Sequence, residues 1–184
     1  MSEIEVVVTF RRTSHLTMSI VKNGDVHVSA PLLFPRSEVE KFVNDHQEWI
    51  EKARNRTLAA EEKRKMFYAQ LPLKKRSERE EAILRLDFKV KALLAFHAPK
   101  MGVKPSEITY KATKSRWGMC DVRTKQICFS LYLLLLPDWC IEHVVVHELA
   151  HLKEANHGPR FYALMDQHFP MWKEAKKATA KIVI

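Results

Sequence analysis

Three histidines and one glutamate stand close together late in the sequence, in an H-E-x-x-H pattern at residues 147–151 and at His157. On an α-helix, residues four positions apart lie on the same face, so His147 and His151 can direct their imidazoles at one metal ion. Glu148 lies beside them, where its carboxylate can accept a proton from water that the ion has made acidic. The pattern therefore predicts a metal-dependent hydrolytic site in which Glu148 is the base and not a ligand.

His157 can complete the ligand set only if the helix ends before it. It lies ten residues after His147, which is about 15 Å along an unbroken helix. Asn156 tolerates the left-handed conformation that closes helices, and Gly158 with Pro159 does not readily continue one. We therefore expect the chain to leave the helix near Asn156 and to double back, which makes His157 a candidate third ligand.

Two further residues could assist or replace these ligands. Glu154 follows His151 by three residues, so on a continuing helix it faces the same way and is an alternative ligand. It can equally accept the outer N–H of a ligating imidazole or remain a solvated charge, and we favour these two roles. His143 stands one turn before His147 and is expected to be an ordinary histidine, partly buried or at the surface.

The donor set also restricts the metal. Three imidazoles suit zinc best and also accept manganese, nickel or cobalt, whereas a phosphate substrate can favour manganese or magnesium. Structural zinc sites are usually closed by four protein ligands. Three histidines with a carboxylate of the catalytic type therefore predict one catalytic divalent ion, most readily zinc.

The composition is that of an ordinary globular protein. The 184 residues are 46% hydrophobic and 29% charged, which predicts one or at most two globular units with a substantial core. No window approaches the roughly 18 apolar residues of a membrane span, and the first residues carry no signal-peptide pattern. We therefore expect a cytoplasmic protein with no membrane partner, and the sequence indicates no oligomeric state.

The net charge of +9 raises the question of a polyanionic partner. Basic clusters occur at residues 63–65, 74–76 and 176–177, but acidic residues interleave with them along the chain and no aromatic series accompanies them. Such interleaving is typical of solvated helix faces. Nucleic-acid binding is therefore an alternative that the sequence does not favour.

The remaining patterns place the site on a helix that follows two strands. Residues 4–30 alternate apolar and polar around a turn at 23–25, which predicts a β-hairpin. Helical spacing follows the hairpin and predicts a helix to about residue 56. A weakly patterned helical arm is predicted from there to residue 76. A second helix is predicted to begin at Ser77 and to end at Pro99. Strands are predicted at 107–113 and 126–131 around a loop that holds Arg116, and the helix with the histidine pair begins at Pro137. Two short helices follow.

Four segments carry a resemblance to a known family. They are V-S-A-P at residues 28–31, E-W-I at 48–50, S-R-W-G at 115–118, and V-H-E-L-A-H-L-K-E-A-N-H-G-P-R-F at 146–161. With these segments the chain resembles the YgjP-like metal-dependent hydrolases, relatives of the SprT-type and other H-E-x-x-H zinc metallopeptidases, over nearly its whole length. The resemblance implies metal ligation by His147, His151 and His157, with Glu148 as the general base.

The resemblance also implies the fold. It is an α+β fold in which an N-terminal β-hairpin and helical arm, residues 1–76, precede a zincin-like metallopeptidase core, residues 77–184. That core is expected to hold a small antiparallel sheet and the active-site helix. The two parts are expected to form one continuous YgjP-like domain.

The family leaves the substrate open between peptides and nucleotides. Its members resemble metallopeptidases by motif, while hydrolysis of UTP to UMP and diphosphate is also attributed to the family. For a nucleotide, nearby cations would neutralise the charge that develops on phosphate. Arg116 and Arg160 are the candidate substrate-binding residues, and Lys114 is expected to be ordinary surface charge. A third hypothesis, which the SprT relatives suggest, is a DNA-associated protease module.

Overall fold

The computed structural model describes residues 4–183 and has the α+β architecture that the sequence predicts. The chain divides into two compact units, the residues up to Lys65 and the residues from Met66 to Val183. The predicted division after residue 76 lies further along the chain, and the assignment of residues 1–76 and 77–184 as domains stays a prediction.

The first unit contains a three-stranded sheet built on the predicted hairpin. Strands β1 (Val6–Arg11), β2 (Thr17–Ile20) and β3 (Val26–Pro31) lie in the order β1-β3-β2. Strand β2 pairs antiparallel with β3, and β1 pairs parallel with it. Gly24 has a φ of +92° in the turn, a conformation that glycine adopts without steric cost. The hairpin prediction is confirmed, and the parallel strand β1 extends it to a mixed sheet.

Two helices follow this sheet, where the sequence predicted one helix and an arm. Helix α1 spans Arg36–Asp45 and helix α2 spans Gln47–Ala69. The interruption falls at His46, where the ring Nδ1 lies 2.7 Å from the carbonyl oxygen of Phe42, so a side chain competes for a backbone acceptor. The predicted helix end near residue 56 is wrong, because α2 continues through much of the predicted arm. The core of this unit consists of Val26, Val28, Ala30, Val39, Val43 and Ile50.

The second unit begins with the longest helix, α3 (Arg76–Met101). At its start the backbone N–H of Lys75 donates to Glu78 Oε2 over 2.9 Å, which satisfies one of the amides that a helix start leaves unpaired. At its end Gly102 has a φ of +62° and donates to the carbonyls of the last turn. Pro99 lies inside that turn, so the prediction that Pro99 closes the helix is wrong, and the left-handed glycine closes it instead.

A second three-stranded sheet follows. Strands β4 (Glu107–Lys111), β5 (Gly118–Asp121) and β6 (Gln126–Ser130) lie in the order β4-β6-β5. Strand β4 pairs parallel with β6, and β5 pairs antiparallel with it. The predicted small antiparallel sheet is therefore mixed, because alternation along a strand indicates a sheet face and not the direction of a partner. Strand β5 itself begins in the segment that was predicted to be a loop.

Three helices complete the second unit. After a short 3-10 helix (Leu131–Leu135) come α4 (Asp138–His151), α5 (Pro159–His168) and α6 (Trp172–Val183). Helix α4 begins directly after Pro137, as predicted, and it runs through the core of this unit. Its buried residues are Cys140, Ile141, His143, Val144, Val145, Val146, Glu148, Leu149 and Ala150. Among residues 4–183, no helix is both long and apolar enough to cross a bilayer.

Candidate metal centre

The three histidines predicted to bind a metal converge in the structure. His147 and His151 lie one turn apart on α4, and their Nε2 atoms are 3.2 Å apart. The Nε2 atom of His157 lies 3.1 Å from that of His147. Among residues 4–183 these three side chains form the one group of potential metal ligands, with donor atoms within 4.8 Å of one another.

These distances fit a bound divalent ion. Imidazole nitrogens bind zinc at 2.0–2.1 Å, so two ligands of a tetrahedral ion lie about 3.3 Å apart. The closest Nε2 pairs of this site approach that spacing. Burial, together with the neighbouring histidines and Lys176, lowers the pKa of His147 to about 3. Burial also lowers the pKa of His151. Both rings are therefore neutral at pH 7 and can offer lone pairs to a cation.

The chain brings His157 back by ending α4 early. The helix ends at His151, and the amides of Lys153 and Glu154 both donate to the carbonyl of Ala150. The helix ends before His157, as predicted, but it ends at His151 and not near Asn156, which has no positive φ. The tight turn after His151 has already satisfied the last helical carbonyls. Gly158 and Pro159 do not close α4, and instead they begin α5.

Glu154 supports His151 through its backbone and not through its carboxylate. His151 Nδ1 lies 3.1 Å from the carbonyl oxygen of Glu154. A proton on Nδ1 that donates to this oxygen leaves Nε2 free as a ligand atom. Because the helix has ended, the Glu154 side chain does not continue the histidine face, and its Oε1 lies 4.0 Å from Arg160 Nη1. Arg160 itself is 87% exposed.

Glu148 lies in a buried position beside the histidines. Its side chain is 5% exposed, and burial raises its pKa to about 8, while the nearby charge of Arg116 acts in the opposite direction. Arg116 thus lies close to the carboxylate, as the sequence hypothesis requires, and its side chain is exposed with Nη1 3.3 Å from Met119 Sδ. Lys114, which was expected to be ordinary surface charge, is exposed and lies over the rings of two tyrosines.

Strand β5 approaches Glu148 closely enough to require a glycine. A Cβ atom added at Gly118 would overlap the Glu148 carboxylate. Gly118 begins β5, which pairs with β6 on one side only. The backbone of the edge strand therefore lies directly against the predicted base, a contact that the sequence did not indicate because β5 was not recognised as a strand.

Phe161 packs against all three histidine rings, a role that the sequence analysis missed. Its ring centroid lies 4.9 Å from that of His147 and 4.7 Å from those of His151 and His157. The residue is 1% exposed. A rigid buried ring of this kind restricts the rotation of the imidazoles. The available signal was its position four residues after His157, on the first turn of α5.

A cavity of about 470 Å³ opens beside the metal centre. We call it the aromatic cavity, because four aromatic side chains line it together with parts of α4 and α6. Its lining residues are Trp117, Gly118, His143, Val144, His147, Glu148, His157, Phe161, Tyr162, Trp172, Lys176, Thr179 and Ala180. A substrate group next to the histidines can therefore enter a largely apolar space. His143 is buried on its wall and does not belong to the group of potential ligands.

A family of known proteins matches most of this chain. The model of the YgjP-like family, described as a metallopeptidase domain, matches residues 14–73 and 68–181. The solved zymogen of Pyrococcus abyssi abylysin, a metallopeptidase, is 22% identical with a TM-score of 0.46 over 50% of this chain and 92% of that one. The metallopeptidase zymogen jannalysin of Methanocaldococcus jannaschii is 20% identical with a TM-score of 0.47, over 52% and 97%. No curated protein matches the chain. Because the family model covers most of its length, the chain belongs to the YgjP-like family of metallopeptidase-domain proteins and is a metal-dependent hydrolase.

Proposed function

We propose that this chain hydrolyses peptide bonds, with one divalent ion held by His147, His151 and His157 and with Glu148 as the general base. The observation that carries the proposal is the buried Glu148 carboxylate beside three converging imidazoles. Zinc suits these donors best, and manganese, nickel, cobalt or magnesium are alternatives for the assay.

The chemistry divides between the ion and the side chains around it. A divalent ion at such a site supplies positive charge that polarises a carbonyl group and makes water more acidic. Glu148 would take the proton from the attacking water and give it to the leaving amine. Burial raises the pKa of Glu148 to about 8 without an ion, and the charge of a bound ion would lower it towards the ionised form that a base needs. Phe161 would hold the imidazoles in place and exclude bulk water from them.

The edge of the second sheet supports a peptide as the substrate. Strand β5 has β6 on one side, so its other edge has no strand partner in the part of the chain that the structure describes. An extended peptide can pair with such an edge through its backbone. Because β5 begins at Gly118, against the Glu148 carboxylate, a peptide bound there would pass the predicted base.

Replacing the predicted base tests the proposal. Glu148→Gln removes the proton acceptor and keeps the shape, so we expect peptide turnover to fall by about 1,000-fold or more. Bound metal, measured by mass spectrometry, should stay at the wild-type level. Glu154→Gln is the matched control, because the same chemical change is made at a carboxylate that faces Arg160. If the Glu148→Gln variant turned over a mixed peptide library as fast as the wild type, the assignment of Glu148 as the base would be refuted.

A second candidate is hydrolysis of UTP to UMP and diphosphate at the same site. Two observations favour it: Arg116 lies close to Glu148, and Lys176 lines the cavity beside the histidines. Cations placed in this way can neutralise charge on a reacting phosphate. The test is diphosphate release from each of the four ribonucleoside triphosphates with added zinc, manganese or magnesium. If one nucleotide releases diphosphate with the wild type and not with Glu148→Gln, nucleotide hydrolysis replaces the peptidase proposal. If the wild type releases no more diphosphate than this variant, peptides remain the proposed substrate.

A further inference from the structure

One cation faces the aromatic cavity from α6. Lys176 lines the cavity together with His143 and His147, and the residue is exposed. Within residues 4–183 no carboxylate lies within ion-pair distance of it. Glu148 is the one carboxylate among the lining residues described. Lys176 thus places at the cavity a positive charge that no described carboxylate pairs.

His143 adds a polar group at the same wall that has no protein partner. The residue is 8% exposed, and its Nδ1 is fully buried without a hydrogen bond among the described residues. A buried N–H without an acceptor costs more than an unused lone pair. The proton is therefore expected on Nε2, which gives the cavity one further hydrogen-bond donor.

The other walls are flat and rigid. Tyr162 and Trp172 stack with their ring centroids 4.9 Å apart and an interplanar angle of 21°. Trp172 Nε1 donates to Asp166 Oδ1 over 2.7 Å, and this hydrogen bond fixes the indole where it lines the cavity. Such surfaces accept an apolar or planar group at little entropic cost. The cavity therefore combines apolar walls, one unpaired cation and one spare donor.

We propose that the wall formed by Lys176 and His143 is a subsite for an anionic group, a carboxylate or a phosphate, carried on an apolar or planar part of the substrate. The proposal rests on the proposed function, because it names the class of substrate for the same site. A peptide would supply the anion as an acidic side chain or a terminal carboxylate. A nucleotide would supply it as a phosphate and would place its base against the aromatic walls.

Binding of matched probes to the metal-loaded chain tests the subsite. The first pair is 3-phenylpropionate and its neutral amide, and the second pair is UMP and uridine, each measured by calorimetry at low salt. We expect the wild type to bind the anion of one pair about fivefold more tightly than its neutral counterpart, as for a solvent-screened charge pair with an exposed lysine. The pair that shows the preference identifies the source of the anion.

Charge reversal on α6 provides the decisive variants. Lys176→Glu should abolish the preference for the anion, whereas Lys177→Glu, the same change at an exposed residue that does not line the cavity, should keep it. His143→Phe, which keeps a ring and removes the nitrogen donors, should reduce the preference about threefold. Equal binding of acid and neutral probe in the wild type, or equal loss in the two lysine variants, would overturn the subsite.

The result can be separated from the test of the catalytic proposal. The preference for an anion is a binding property, so we expect Glu148→Gln to retain it even though turnover is lost. A preference that depends on Lys176 without any hydrolysis that depends on Glu148 would keep the subsite and refute the proposed function. Hydrolysis that depends on Glu148, without a preference for the anion, would keep the proposed function and refute the subsite.

Discussion

The two three-stranded sheets of this chain have the same topology, and the second borders the candidate metal centre. In each sheet the third strand is central, the first strand pairs parallel with it and the second pairs antiparallel with it. The sequence shows no internal repeat that corresponds to this similarity. Strand order alone therefore does not create a site.

The difference lies in what stands against the edge strand of each sheet. In the second sheet Gly118 begins edge strand β5 and lies against the Glu148 carboxylate. In the first sheet the loop after edge strand β2 contains Gly24, where an added Cβ would lie 3.0 Å from Arg54 Nε and 3.2 Å from Leu58 Cδ2. One glycine makes room for a reactive group and the other closes a turn. The comparison shows that a sheet edge can form part of a site when a neighbouring helix places a reactive side chain against it.

Removing a metal ligand should have the largest effect on activity. We expect this effect for a ligand histidine of the second unit and not for a histidine of the first unit. In His151→Ala the ion loses one of three imidazoles, so we expect both bound metal and turnover to be lost, with activity down by about 1,000-fold or more. Metal content and peptide turnover measure this effect. The same change at His27, an exposed histidine of strand β3, should alter neither. Full metal occupancy in His151→Ala would remove this residue from the ligand set.

Truncating Phe161 should couple stability to metal binding. Phe161→Ala deletes a buried ring that contacts three imidazoles, so we expect a loss of about 3–5 kcal/mol of unfolding free energy and weaker metal binding. Ile50→Ala, a comparable truncation in the core of the first unit, should cost about 2–5 kcal/mol without changing the metal affinity. Urea unfolding and competition with a chelator provide the two measurements. Equal metal affinity in both variants would mean that Phe161 does not position the ligands.

The two glycines should respond in opposite ways to the same substitution. Gly118→Ala should lower turnover about 100-fold by displacing the Glu148 carboxylate, because a small misplacement of a catalytic group has a large effect on rate. Gly24→Ala should instead cost about 1–2 kcal/mol of stability, because its φ of +92° strains a residue with a Cβ. Turnover per folded molecule should then be unchanged. If Gly118→Ala retained full turnover, the close approach of β5 would have no role in catalysis.

Acid should destabilise the metal-free protein through His143. The folded-state pKa of His143 is about 4, below its ordinary value of 6.5, so the unfolded chain takes up the proton first as the pH falls. The contribution of His143 to the unfolding free energy is therefore fully present above about pH 6.5 and is lost as the pH falls towards 4. We expect this loss to be on the order of 2 kcal/mol. His143→Gln should lose this part of the decline, while the part due to His147 remains. Urea unfolding between pH 4 and 7 would contradict the assignment if both proteins declined equally.

The amino-acid sequence was enough to predict that His147, His151 and His157 come together. The spacing of His147 and His151 is a local helical property, so it could be recognised without tertiary information. The N-terminal hairpin and the start of α4 after Pro137 were predicted for the same reason, since turn glycines and helix-start prolines act over a few residues. The resemblance to the YgjP-like family also came from these local segments.

The errors concern features that depend on distant residues. The end of α4 was placed near Asn156, although the turn after His151 satisfies the helix carbonyls earlier. This early end also removes Glu154 from the histidine face. Strand β5 was predicted as a loop, because its four residues form a strand only by pairing with β6. The pairing direction of β4 could not be predicted either, since alternation is the same in parallel and antiparallel strands.

By itself the sequence determined which side chains could bind a metal and which carboxylate could act as base, because those properties follow from residue type and helical spacing. Only the tertiary structure decided the surroundings of these groups. It placed Phe161 against all three imidazoles, Gly118 against Glu148, and Lys176 with His143 at one cavity wall. These contacts join residues on different elements, and the burial that shifts their pKa values exists only when those elements pack together.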